Sequence, residues 1–66
     1  MILTVNGKPK ELVEGATIAG LLEDLGLRGS PCAVEVNREL VPKARHAETI
    51  LRPQDAVEIV TLVGGG

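Results

Sequence analysis

Residues 1–25 read MILTVNGKPKELVEGATIAGLLEDL, and the order of signals within them decides the fold. Ile2, Leu3, Thr4 and Val5 are apolar or β-branched, as a half-buried strand requires. Asn6-Gly7 follows, and both residues tolerate the positive φ of a type I′ hairpin turn. The spacing predicts a return strand over 8–13. Pro9 has no N–H to give to a ladder, so its nitrogen is expected to face away from the neighbouring strand. Glu14-Gly15 breaks that strand, and Thr17 is placed as a helix N-cap. Ile18, Leu21, Leu22 and Leu25 recur three and four residues apart, on one helical face, with Glu23 and Asp24 on the other. Gly26 suits the left-handed residue that closes a helix. Gly20, inside the helix, costs about 1 kcal/mol relative to Ala, and is read as a point of close packing against the sheet.

The rest of the chain continues in short pieces. Cys32-Ala33-Val34-Glu35-Val36 reads as a strand, with Cys32, Val34 and Val36 on one face by the period of two. Asn37-Arg38-Glu39 is turn-like, Leu40-Val41 a very short strand, 43–48 a single helical turn, and 49–51 extended. Pro53-Gln54-Asp55 turns the chain into a last, strongly apolar strand over 56–62. The order β-β-α-β-β-β describes an α+β protein of two layers, in which one helix covers one face of a sheet. In the last strand Val57, Ile59 and Thr61 point one way, and Glu58, Val60 and Leu62 the other. If the first set meets the helix, Val60 and Leu62 lie on a face that no element covers. Such a patch marks a partner surface, but two ordinary surface aliphatics fit the same pattern nearly as well.

Composition bounds the function. With 66 residues the chain makes one domain, of a size that buries only about 60% of its unfolded surface. One Cys and one His cannot supply a disulfide or a closed four-ligand zinc site. Phe, Tyr and Trp are absent, so the core is built from Leu, Val, Ile and Ala, and the stacking platforms of single-stranded nucleic-acid binders are missing. A net charge of −2 with scattered cations argues against a phosphate-backbone partner. No apolar run approaches the roughly 20 residues of a membrane span. The start, MILTVNGK, lacks the features of a signal peptide. The expected protein is soluble and cytoplasmic, with no nucleic-acid or membrane partner.

The end of the chain is its most informative part. Gly64, Gly65 and Gly66 follow the apolar strand directly. Three glycines add nothing to a strand, because they pack no side chain and lose the most backbone entropy on ordering. The expected division is therefore a folded domain over 1–62 and a flexible tail over 63–66, reaching about 13 Å if extended. A segment without Cβ atoms threads a groove too narrow for any other residue, and so delivers the terminal carboxylate into another protein's active site. That carboxylate, ionised at neutral pH, is a poor electrophile until activated, for example as an acyl-adenylate. A sulfur nucleophile that displaces AMP would leave a thiocarboxylate at Gly66.

These features together resemble the ThiS family, the sulfur carriers of thiamine biosynthesis. The resemblance runs over Leu3-Thr4-Val5-Asn6-Gly7, Thr17-Ile18-Ala19-Gly20-Leu21-Leu22, Val34-Glu35-Val36-Asn37 and Val41-Pro42. It is most specific in Asp55-Ala56-Val57-Glu58-Ile59-Val60-Thr61-Leu62-Val63-Gly64-Gly65-Gly66. It implies a ubiquitin-like β-grasp fold, a mixed sheet of four to five strands with one main helix on one face. It further implies that the chain is not an enzyme and binds no cofactor of its own. An E1-like adenylyltransferase (ThiF) would activate Gly66 with ATP, a cysteine desulfurase would supply the sulfur, and thiazole synthase (ThiG) would receive it. Val60, Leu62 and Val63 are the candidate partner contacts. The family signature needs only a terminal Gly-Gly, here Gly65 and Gly66, with Gly64 an additional member.

Other residues read as structural. Cys32 is in phase with Val34 and Val36 and is expected to be a small buried side chain. His46 is expected on the solvated surface, and a Cys32–His46 catalytic pair would require the fold to bring the two together. Arg38, Lys43, Arg45 and Arg52 read as a solvated face. Glu11, Glu14, Glu23, Asp24 and Glu58 show no pairing that calls for acid–base work. An iron–sulfur domain is excluded, since its cluster takes four cysteines. Two rival functions use the same fold and tail: the small subunit of molybdopterin synthase, and a protein modifier joined to lysines through its last glycine. A plain interaction module without covalent chemistry is a third.

Overall fold

Asn6 and Gly7 adopt φ of 52° and 81°, the two positive values of a type I′ turn, whose twist matches that of the strands it joins. In a computed structural model that describes residues 1–62, this turn links β1 (Ile2–Val5) to β2 (Lys8–Glu11) as an antiparallel hairpin. Leu3 lies opposite Lys10, and Thr4 opposite Pro9. The bond from the Leu12 N–H to the Met1 carbonyl, at 2.9 Å, fixes the ladder's alternation. It puts Thr4–Pro9 at a non-hydrogen-bonded pair, so Pro9 interrupts no ladder bond. That bond is also the last of the hairpin, so β2 stops short of Val13, which is 77% exposed. β2 is an edge strand, and Lys8, Pro9 and Lys10 discourage further pairing there.

The helix α1 (Ile18–Asp24) begins as its sequence dictates. The Thr17 hydroxyl accepts the Gly20 N–H at 3.1 Å, satisfying one of the four amides a helix start leaves unpaired. It ends in a Schellman motif. Gly26 takes φ of 75°, its N–H bonds the Glu23 carbonyl at 3.0 Å, and the Leu27 N–H bonds the Leu22 carbonyl at 2.8 Å. Lys10 reaches the helix from β2 through a 2.6 Å ion pair with Asp24.

The remaining elements are β3 (Cys32–Val36), β4 (Glu39–Val41), a 3₁₀ turn at Lys43–Arg45, and β5 (Ala56–Thr61). They complete a five-stranded sheet of order β2-β1-β5-β3-β4. β5 runs parallel to β1 and antiparallel to β3. This mixed sheet with one helix across it is the expected β-grasp arrangement. Leu3, Val34, Val57 and Ile59 from the sheet meet Ile18, Leu21 and Leu22 from the helix, and Leu51 completes the core. Leu51 is held there because the chain before β5 bonds to the residues flanking the helix start: Ile18 N–H to the Thr49 carbonyl at 3.1 Å, and Leu51 N–H to the Ala16 carbonyl at 2.8 Å.

Two expectations are corrected. His46 is not on the solvated surface but 6% exposed. The 3₁₀ turn carries its ring inward, where Nε2 lies 2.9 Å from the Val41 carbonyl, which fits an Nε2–H tautomer donating to it. Its own carbonyl accepts the Ala19 N–H at 3.1 Å. A three-residue turn with two charged residues, Lys43 and Arg45, has no hydrophobic period to reveal this. Gly20 does not pack against the sheet. It is exposed, and a Cβ there would meet only the Thr17 hydroxyl at an ordinary 3.5 Å. Gly20→Ala is therefore expected to raise unfolding stability by about 1 kcal/mol, read as a higher urea midpoint at unchanged m-value. A lower midpoint would show that this face needs the missing side chain.

Candidate functional site

The strand that leads into the glycine tail is the middle strand of the sheet, and two asparagines fasten it from opposite sides. The Asn6 N–H bonds the Val57 carbonyl at 2.8 Å. Its side chain then takes over where β1 has turned away: Oδ1 accepts the Ile59 N–H at 2.7 Å, and Nδ2 donates to the Ile59 carbonyl at 3.2 Å. Asn37 does the same at the start of the strand. Its N–H bonds the Ala56 carbonyl at 2.8 Å, Oδ1 accepts the Ala56 N–H at 2.9 Å, and Nδ2 donates to Asp55 Oδ1 at 3.0 Å. Both asparagines sit at positive φ, 52° in each case, a conformation that Asn tolerates better than most residues. Sequence reasoning gave each only a turn role. The double use was detectable in one respect, since a side-chain amide carries the same donor and acceptor as the peptide group it replaces.

Past the fastened region, the Leu62 N–H bonds the Pro31 carbonyl at 2.9 Å, so the chain is still held one residue before the tail. Val57 and Ile59 face the helix and are 1% and 8% exposed, whereas Val60 and Leu62 are 59% and 55% exposed on the uncovered face. The alternation expected in the last strand is thus present, with Thr61 exposed beyond the helix's cover. The cross-strand register adds neighbours: Ala33 lies opposite Val60, Glu35 opposite Glu58, and Leu40 opposite Glu35. Leu40 is 65% exposed. The proposed contact Val63 and the motif Gly64, Gly65 and Gly66 lie outside the described residues.

Cys32 is half-buried against the core and its thiol is free. It borders a cleft of about 180 Å³ together with Leu22, Leu27 and His46. The fold does bring Cys32 and His46 to one cleft, yet His46 Nε2 is engaged with the Val41 carbonyl. Among the described residues, no group of three or more His, Cys, Asp or Glu is placed to hold a metal ion, and no helix is long and apolar enough to cross a membrane. The arrangement offers a rigid strand, an exposed apolar flank and a chain end.

Replacing Asn6 by Ala leaves the Ile59 N–H and carbonyl unpaired at a half-buried place. The expected loss is about 2 kcal/mol of stability, with faster hydrogen exchange at the Ile59 amide. Unchanged exchange at Ile59 would show that the amide clamp contributes nothing.

Comparison with known proteins agrees with this architecture. The model of the ThiS family matches residues 3–66. The chain is 39% identical over 66 residues to the sulfur carrier protein ThiS of Bacillus subtilis, covering 98% of this chain and all of that one. It is 38% identical over 66 residues to a thiazole synthase of Paramagnetospirillum magneticum, and there the chain spans only 20% of its relative's length. The crystal structure of the thiamine biosynthesis protein ThiS from Geobacter metallireducens superposes with a TM-score of 0.84 at 35% identity, with full coverage of both chains. The chain belongs to the ThiS family.

Proposed function

We propose that this chain is a carrier protein whose cargo is a sulfur atom on the Gly66 carboxylate, delivered to thiazole formation in thiamine biosynthesis. The observation that carries the reading is the position of β5. The strand that precedes Gly64-Gly65-Gly66 is clamped at the centre of the sheet, so the body is a fixed handle for the chain end. The names of the full-length relatives support the carrier role. The match to one fifth of a thiazole synthase supports that enzyme as the recipient, because the same domain occurs there within a longer chain.

The chemistry belongs to partners. An adenylyltransferase of the ThiF type joins the Gly66 carboxylate to AMP and releases pyrophosphate from ATP. The acyl-adenylate has a good leaving group where the free carboxylate had none. A persulfide formed from cysteine-desulfurase sulfur displaces AMP to give an acyl disulfide. A partner thiol then attacks its S–S bond, releasing the thiocarboxylate, a soft nucleophile, and leaving a disulfide on the partner. The chain itself contributes recognition, through Val60 and Leu62 on the uncovered face with Val63 beyond them. It also contributes reach, through glycines that let the backbone pass a narrow channel. It works where those enzymes work, in the cytoplasm.

A reconstituted thiazole-forming reaction tests this. The full chain is expected to support product formation with ThiF, ThiG, ATP and a sulfur source. A chain lacking Gly66, with unchanged thermal stability, should support less than a hundredth of that rate. Equal rates from the truncated chain would contradict the carrier reading. Preferential binding to a molybdopterin synthase large subunit, or a ladder of lysine conjugates, would redirect it to one of the two related functions.

A further inference from the structure

The uncovered face holds a feature that neither packing nor the tail accounts for. Glu35 and Glu58 stand directly opposite each other on neighbouring central strands, and both side chains are exposed on that face. Directly opposed residues have Cβ atoms about 5 Å apart, and like charges in that position destabilise a sheet. Neither carboxylate is in an ion pair among the described residues. The nearest cross-strand neighbours are apolar: Leu40 lies opposite Glu35, and Ala33 and Val60 form the adjoining pair. A domain of 66 residues has little stability to spare. Here it places two negative charges side by side in the middle of its open sheet, next to the exposed Leu40 and Val60.

Resting on the carrier reading above, we propose that Glu35 and Glu58 together form the socket for one cationic side chain, a guanidinium above all, on the thiazole synthase that receives the sulfur. Two neighbouring carboxylates offer four acceptor oxygens to the five N–H donors of one guanidinium, and the planar fork of Arg fits such a pair better than the compact head of Lys. Leu40, Ala33 and Val60 beside the pair exclude water on docking, which strengthens the charged contact that the free protein lacks. The complex removes a repulsion that the free carrier bears. The socket also sets the register of docking: Glu58 lies in β5, four residues before Leu62, the last described residue.

Stability and affinity should then respond in opposite directions. Glu35→Gln and Glu58→Gln each relieve the repulsion, and each should raise the melting temperature of the free protein by about 2–4 °C. Both should weaken binding to the purified thiazole synthase about tenfold and flatten the salt dependence of its association rate. Charge reversal by Glu58→Lys should weaken binding further, and replacing the synthase arginine that cross-links to this face should abolish the difference between wild type and Gln variants. Wild-type binding with unaffected or tighter binding of the Gln variants would overturn this inference alone. Failure of the wild-type chain to bind the synthase at all would overturn it together with the carrier reading.

Discussion

The structure depends on one insertion: the last strand lies between the first strand, to which it is parallel, and the third, to which it is antiparallel. The sheet's contact with the helix presupposes it. Val57 and Ile59 bring the sheet's central apolar residues to the helix only if β5 lies at the middle. Leu51 reaches the core only because the chain that leads into β5 bonds to the residues around the helix start. The pairing joins residues more than 50 positions apart, as the two bonds between Asn6 and Ile59 illustrate. Such closure carries an entropic cost that local contacts must offset. The hairpin turn, the Thr17 cap and the Schellman ending are those local contacts, and each reduces the freedom left to the chain before β5 arrives.

The same pairing connects the fold to its use. A terminal segment following an edge strand could peel away with it. Here the strand is bonded on both sides, and side-chain amides extend the bonding at both ends where neighbouring backbones diverge. The protein therefore has its central strand, bonded on both sides, directly before the segment that the proposed function assigns to partners. One face of that strand is spent on the core, and the other carries Val60, Leu62 and the opposed glutamates in the open. An aliphatic core without aromatic rings is enough for this task, because the helix and sheet need only a thin layer between them.

Much of this was legible in the sequence, and the reasons are local. Asn6-Gly7, Thr17 and Gly26 each act through φ or through a nearby amide, so their residue types declare their roles. The alternation of Val57, Glu58, Ile59 and Val60 reports which face is buried. What was not legible depends on pairing in space. His46 looked exposed because the turn that buries it has no period. Gly20 looked like a packing contact, although the period of Ile18, Leu21, Leu22 and Leu25 already sets it on the opposite side of the helix. The clamps of Asn6 and Asn37, and the opposition of Glu35 and Glu58, follow from strand register, which no single segment encodes. The tail was read from its composition and lies outside the described residues.

In the proposed function the Gly66 carboxylate carries sulfur. Top-down mass spectrometry of the full chain, after incubation with ATP, the adenylyltransferase and a sulfur source, addresses it directly. One terminal oxygen is expected to be replaced by one sulfur, with the change mapping to Gly66 and lost when ATP is omitted. A chain that stays unmodified with active partners, or that gains its sulfur on Cys32 instead, would contradict the account.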